Sequence, residues 1–211
     1  MLHIDGHDTP AVEKAARLAR DLHIPVSVDV DTIYPGFDRV LGFVDYLVAS
    51  SEFPVRWTNE NDPFRALEMI QNQYGMQVAA MTLGAHGALA RIIDEPRPNE
   101  PRPSSACGKG AVKTRDRQGA HSARFVYSPG FVVDCVDTTG AGDVFHGAFC
   151  YAVLEGMPIG DTLEFSNAMA ALNCTRLGAR GGIGTLSDAR ALIERAERRA
   201  HRDFSSAARR A

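Results

Sequence analysis

The sequence predicts an α/β fold, a three-layer α/β/α sandwich built on a mostly parallel sheet. Two observations carry that expectation. Strand-like runs alternate with amphipathic helical stretches along the first eighty or so residues, which implies parallel strands covered on both faces. At 211 residues and 45% hydrophobic, the chain is also long enough for one large domain with its own core, spanning 1–211.

The elements follow in order. "MLHID" is a short apolar run that ends in polar residues. "TPAVEKAARLARDL" reads as a helix, with Thr9 at the cap, Pro10 at the first helical position, and Val12, Ala15, Ala16, Ala19 and Leu22 on one face. "IPVSVDV" and "FVDYLVAS" read as strands on either side of a turn-rich connection. Asp62 and Pro63 open a second amphipathic helix, "PFRALEMIQNQY", which Gly75 closes before the strand "QVAAMTL". After the strand "ALARII" the pattern breaks. Residues 94–124 hold four prolines, many charges and almost no large apolar side chain, so they read as a mobile insertion before the strand "FVYSPGFVV". Three helices close the chain, from about Asp143 to Glu155, from about Asp161 to Leu177, and from near Ser187. Residues 202–211 read as a frayed basic tail. No internal repeat is present.

Composition narrows the function classes. The formal charge is −3, so nothing global draws the chain to nucleic acid or anionic lipid, and no nucleic-acid partner is expected. Only Lys14, Lys109 and Lys113 are lysines among 23 basic residues, an arginine bias that genome composition explains. Cys107, Cys135, Cys150 and Cys174 show no Cys-x-x-Cys pair and no metal-ligand spacing, and read as reduced thiols. No apolar stretch approaches the roughly 18 residues of a membrane span and no signal-like run opens the chain, so no membrane association and a cytoplasmic location are expected. Gly108 and Lys109 lack the other residues of a phosphate loop.

The chemistry concentrates in "DTTGAGD", residues 137–143, which lies between a β-branched run and a helix. A helix N-terminus exposes unpaired N–H groups and carries positive partial charge, so Gly140, Ala141 and Gly142 can wrap an anion without side chains in the way. A carboxylate there suits a general base acting on a hydroxyl next to a phosphoryl group. On these residues alone, Asp143 is either that base or a helix cap. The dinucleotide-binding pattern does not apply, because Phe145 stands where its third glycine belongs.

"DTTGAGDVFHGAF" resembles the C-terminal signature of the ribokinase-like (PfkB) carbohydrate kinase family. Three other segments agree in order and spacing. "MTLGAHGAL", residues 81–89, is similar to the family's strand end near the nucleotide phosphates, and "SNAMAALNCTRLGARGGIGTL", residues 166–186, to its closing helix and loop. "LHIDGHD" and "IPVSVDVD" look like the two strands that precede the nucleotide half. The resemblance implies a ribokinase-like fold and an ATP-dependent kinase that phosphorylates a hydroxyl of a sugar or sugar-like substrate. By the same resemblance, Asp143 is the base and backbone N–H groups from Gly140 to Gly142 hold the migrating phosphoryl group. Thr82, Gly84 and Gly87 contact ATP, and Asn167 and Ala171 lie near adenine. Asp137 and Thr139 bind a potassium-like ion (K+), together with carbonyls of the Gly178–Gly184 loop.

Two departures from the family pattern are visible. Many members carry Asn-x-x-Glu after the strand matching "DYLVAS", where it organises Mg2+ and phosphate; this chain reads "ASSEF", with Glu52 or Ser50 in that place. Nothing here corresponds to the family's N-terminal third, with its sugar-binding residues and lid strands. The expectation is therefore a C-terminal two-thirds with lid strands absent, whose alternative role is a nucleotide-binding module without independent kinase activity. An exposed sheet edge would favour a homo-oligomer. Asp5, His7, Asp29 and Asp31 fall at strand ends, where they meet water or face an acceptor or a metal.

Overall fold

The computed structural model describes residues 1–93 and 123–199. The expected strands and helices form, with shifted ends. Strand β1 (Leu2–Ile4) leads to helix α1 (Thr9–Asp21), and β2 (Val26–Val30) to the short α2 (Phe37–Leu41). Strand β3 (Tyr46–Ser50) precedes α3 (Glu52–Thr58) and α4 (Pro63–Tyr74). Strands β4 (Val78–Thr82), β5 (Ala88–Ile93) and β6 (Ala123–Ser128) are followed by α5 (Ala141–Leu154), α6 (Ile159–Asn173) and α7 (Leu186–Arg195). Ala123 and Arg124, expected in the insertion, thus begin a strand. The rest of the insertion, Gly108 and Lys109 within it, and the 202–211 tail lie outside the described residues.

Two helix ends differ from expectation for a local reason. Asp8, not Thr9, caps α1, because its carboxylate accepts from the Ala11 amide at 3.2 Å; Pro10 then falls at the second helical position. Leu22 ends up beyond the helix and exposed. The expected bounds of α4 held in detail: Asp62 accepts from the Phe64 and Arg65 amides, and Gly75 closes α4 in the left-handed region at φ +72°.

All six strands lie in one sheet, in the order β1-β2-β3-β4-β5-β6. β1 through β4 pair in parallel, whereas β4–β5 and β5–β6 are antiparallel. Successive parallel strands joined by right-handed crossovers put their helices on one face. That face is the larger core, where Val26, Val28 and Val30 of β2, Leu47 and Ala49 of β3 and Ala79 and Met81 of β4 meet α1 through α4. The alternate residues, Val48, Val78, Ala80, Ala88 and Ala90, pack on the other face against Phe145 and Phe149 of α5 and Leu163 of α6. Helices on both faces of a sheet give the expected three layers.

The α5 face changes character toward β1. Its residues on β3, β4 and β5 are apolar, but on β2 they are Ser27 and Asp29, and His3 on β1 reaches Ser27 Oγ at 3.4 Å. A polar ledge therefore lies under α5 at the β1–β2 side. Of the described residues, no helix is long and apolar enough to cross a membrane.

Candidate active site

The glycine turn is fixed from both sides. Gly140 sits at φ +75°, and an added Cβ there would lie 2.5 Å from the Ala179 carbonyl oxygen, so both the dihedral and the close approach require glycine. Asp137 ties the turn to the loop after α6. One carboxylate oxygen accepts from the Thr139 amide at 2.9 Å and the Thr139 hydroxyl at 2.7 Å, and the other from the Gly178 amide at 2.8 Å. These N–H donors, the Thr139 and Gly178 amides first, hold the Asp137 carboxyl below its ordinary range. Asn173, fully buried, donates to the Thr139 carbonyl at 3.2 Å and the Ala179 carbonyl at 3.1 Å.

Helix α5 begins at Ala141, two residues earlier than expected, with Gly140 as its cap and no side chain capping it. Asp143 is therefore in the first turn and does not act as the cap. The Ala141 amide is spent on the Thr138 carbonyl at 3.1 Å, so of the three expected donors it closes the turn instead. The Gly140, Gly142 and Asp143 amides find no acceptor among the described residues and are free for an anion. The Asp143 carboxylate is exposed and makes no hydrogen bond or ion pair among the described residues. A helix N-terminus with free amides and an unengaged carboxylate is thus exposed at one edge of the sheet.

Beside it is a cavity of about 240 Å³ that brings together Thr82, Gly84, Gly87, Ala141, Gly142, Asn167 and Ala171, seven of the twelve candidate residues. Gly84 and Gly87 lie in the 3-10 turn between β4 and β5, at φ +57° and +96°. A Cβ on Gly87 would fall 2.0 Å from the Ser128 carbonyl oxygen, so this turn is pressed onto the end of β6. Thr82 Oγ1 donates to the Ala49 carbonyl at 3.4 Å. Asn167 is buried and its amide nitrogen donates to both the Ser128 carbonyl and hydroxyl at 3.0 Å, which ties α6 to β6. Cys135 and Cys174 line the same cavity, and burial first, then the Cys135 thiol beside it, pushes the Cys174 thiol up.

The other five candidates lie outside this cavity. Gly140, Asp143, Asp137 and Thr139 belong to the turn that forms its rim. Glu52, in the first turn of α3 just past the end of β3, is exposed and without a hydrogen bond or ion pair among the described residues. A larger and more open cavity of about 630 Å³ lies between α6, Gly181–Gly184 and α7. It contains no free carboxylate, since Asp188 is taken up in the Thr185 capping box, and so offers no base.

Metal fit differs between the two expected sites. Among the described residues no group of three His, Cys, Asp or Glu side chains could hold an ion, so a Mg2+ here would depend on its own waters and on phosphate oxygens, with Glu52 as a single protein carboxylate. At the turn, the donor set of Asp137, Thr139 and backbone carbonyls is all oxygen, and Asn173 Oδ1 is a buried acceptor without a partner among the described residues. That chemistry suits a hard cation.

Sequence reasoning missed one buried residue at this site. His146, one helical turn below Asp143, is 5% exposed and meets Gly142, Val48 and Asp29 at once. The spacing Gly142 to His146, four residues on a helix, was the available signal.

Comparison with known proteins agrees with this architecture. Residues 2–185 match the pfkB family of carbohydrate kinases. The chain belongs to that family. A ribokinase of Haemophilus influenzae is 25% identical over 196 residues, which covers 90% of this chain and 54% of that protein. A ribokinase of Bacillus subtilis is 40% identical over a shorter 83 residues, 38% of this chain and 28% of that protein. A solved putative ribokinase from Agrobacterium tumefaciens superposes with a TM-score of 0.70 at 23% identity, over 91% of this chain and 54% of that one. An Arabidopsis thaliana ribokinase solved with ribose and ATP gives a TM-score of 0.68 at 20% identity, over 91% and 55%. The chain thus spans about half the length of these full-coverage relatives.

Proposed function

We propose that this chain provides the catalytic and nucleotide-binding half of an ATP-dependent kinase that phosphorylates a hydroxyl of a sugar or sugar-like alcohol. The observation that carries the reading is the pairing of free amides at the α5 N-terminus with the unengaged carboxylate of Asp143. In this reading adenine occupies the cavity between the Gly84–Gly87 turn and α6, next to Asn167 and Ala171. At about 240 Å³ that cavity is smaller than the roughly 300–1,000 Å³ of whole-ligand pockets, so the phosphates would extend from its Thr82 and Gly142 side along the glycine turn.

Asp143 takes the proton of the acceptor hydroxyl as its oxygen attacks the γ-phosphorus. The bond from that phosphorus to the bridging oxygen of ADP breaks, ADP leaves, and the proton passes from Asp143 to solvent. The Gly142 and Asp143 amides face the charge that builds on the migrating group, preorganised by the fixed turn. Mg2+ bound with ATP would neutralise phosphate charge, and Glu52 would be the protein carboxylate that helps to hold it. A K+ held by Asp137, Thr139 and carbonyls of the 178–184 loop would stiffen the turn from behind.

Replacing Asp143 with Asn tests the base. General-base removal costs roughly 10²–10⁴ in rate, so Asp143→Asn should bind ATP as the parent does and lose transfer by that factor. Transfer at the parental rate would refute the assignment. A second reading is favoured by the half-length match to the relatives: these residues hold nucleotide, and the acceptor is bound by residues not among them. Titration calorimetry separates the two, since this second reading requires ATP to bind and every sugar in a panel to give no heat.

A further inference from the structure

His146 is surrounded by acceptors. Its Nδ1 lies 2.7 Å from the Gly142 carbonyl oxygen and its Nε2 lies 3.2 Å from the Val48 carbonyl oxygen, and Nε2 is also 3.2 Å from Asp29 Oδ1. A carbonyl oxygen accepts and never donates, and a neutral imidazole carries a single N–H. Only the doubly protonated ring satisfies both carbonyls. The residue is 5% exposed, so water does not supply the missing partner, and a charge in such a place needs a counter-ion. Asp29 is that counter-ion.

We propose that His146 is a positioning residue, held as an imidazolium that ties the glycine turn and the Asp143 helix end to strands β2 and β3 through Gly142, Val48 and Asp29. The proposal rests on the kinase reading for its consequence but not for its geometry. The Gly142 carbonyl belongs to a residue whose amide is one of the free donors, so a bond to it fixes the orientation of the first turn.

The surrounding groups agree. From β1, the His3 ring lies 6.0 Å from that of His146, and burial first and then His146 hold His3 below its ordinary value. From β2, burial raises the Asp29 carboxyl, and His146 counteracts this while Asp143, Asp31 and Asp5 add to it. On α5 itself, Cys150 meets His3 and not His146.

The test is ring-nitrogen NMR of the full chain labelled with [15N]histidine. His146→Gln identifies the signals among the seven histidines. At pH 7, both His146 nitrogens should show the protonated pattern, and Asp29→Asn should convert the ring to a neutral tautomer. A bare ring nitrogen at pH 7 in the parent overturns the proposal. For function, His146→Gln should lower kcat roughly 10- to 100-fold with the KM for ATP unchanged within about twofold, the signature of lost alignment. The parent's activity should also fall at the alkaline pH where NMR shows the second ring proton leaving, and that limb should vanish in His146→Gln. An unchanged limb refutes the functional link. Should His146→Gln fail to fold, Asp29→Asn carries the same comparison with nearly the same side-chain shape. A parent without transfer activity supports the second reading, in which the acceptor is bound by other residues, and the ring-nitrogen pattern still decides the proton count.

Discussion

Gly140→Ala and Gly142→Ala, two residues apart in the same turn, should have opposite effects on stability. At Gly140 the backbone is left-handed, φ +75°, and the new methyl would stand 2.5 Å from the Ala179 oxygen and 2.9 Å from its Cα. Left-handed strain costs about 1–2 kcal/mol. Relief of the clash must displace the 178–182 loop, which holds the Asp137–Gly178 and Asn173–Ala179 hydrogen bonds, each worth about 0.5–1.5 kcal/mol. The sum is about 2–5 kcal/mol, a large share of the roughly 5–15 kcal/mol that stabilises a domain. At about 2–4 °C per kcal/mol for this size, the melting temperature should drop by roughly 4–20 °C. Gly142, by contrast, has nothing within 4 Å of its added Cβ and an ordinary φ, so alanine there should gain up to about 1 kcal/mol from helix propensity. Its methyl would nonetheless stand over the free amides and weaken nucleotide binding. Thermal melts with calorimetric ADP titration read both quantities. A Gly140→Ala protein that melts within 1 °C of the parent would refute the close-approach argument.

Two further perturbations probe the scaffold. Because N–H donors depress the Asp137 carboxyl below 3.8, its ion contributes stability that is fully present above that pH and is lost as pH falls through the depressed folded value; the stability gap between parent and Asp137→Asn, from urea melts, should therefore narrow below pH 3.8 and stay constant from pH 5 to 7. Phe149 is fully buried between α5 and the sheet, edge-on to Tyr46, so Phe149→Ala should cost about 3–5 kcal/mol by denaturant melts, whereas a loss under 1 kcal/mol would mean that the α5 layer is not packed as described.

Periodicity made most of the frame legible, and what it missed has physical causes. The six strands were readable because each is a short apolar run bounded by turn residues. Helix α2 spans five residues, too few for a helical period to show. Helix α3 carries Pro54, which reads as a breaker in sequence, yet it sits in the first turn, where a missing N–H costs nothing. At the glycine turn, spacing alone left open whether Asp143 was cap or base. The helix start at Ala141 removed the cap reading, a shift of two residues that no propensity argument resolves. The Asp29–His146 pair was not legible at all, because it joins residues 117 positions apart through sheet register.

The arrangement of the site follows from the order of the strands. Four parallel strands in sequence commit α1 through α4 to one face, and the β4–β5–β6 antiparallel meander then carries the chain to the far side of the sheet before it crosses to the other face. Helix α5 then packs back across β3 and β2, with its N-terminus toward the carboxyl ends of those strands, where Asp29 and Val48 meet His146. Carboxyl ends of parallel strands are where α/β sheets gather ligands, because the loops there are free of the helix packing below. The glycine turn, the Gly84–Gly87 turn and the loop after α6 converge at that edge, joined by Asp137, Asn173 and Ser128. An anion held at α5 therefore touches an element tied by direct hydrogen bonds to α6 and to two strands. Loosening these ties should register in the fold as well as in phosphate binding, and the paired glycine substitutions separate the two, since Gly140→Ala disturbs the ties and Gly142→Ala leaves them in place.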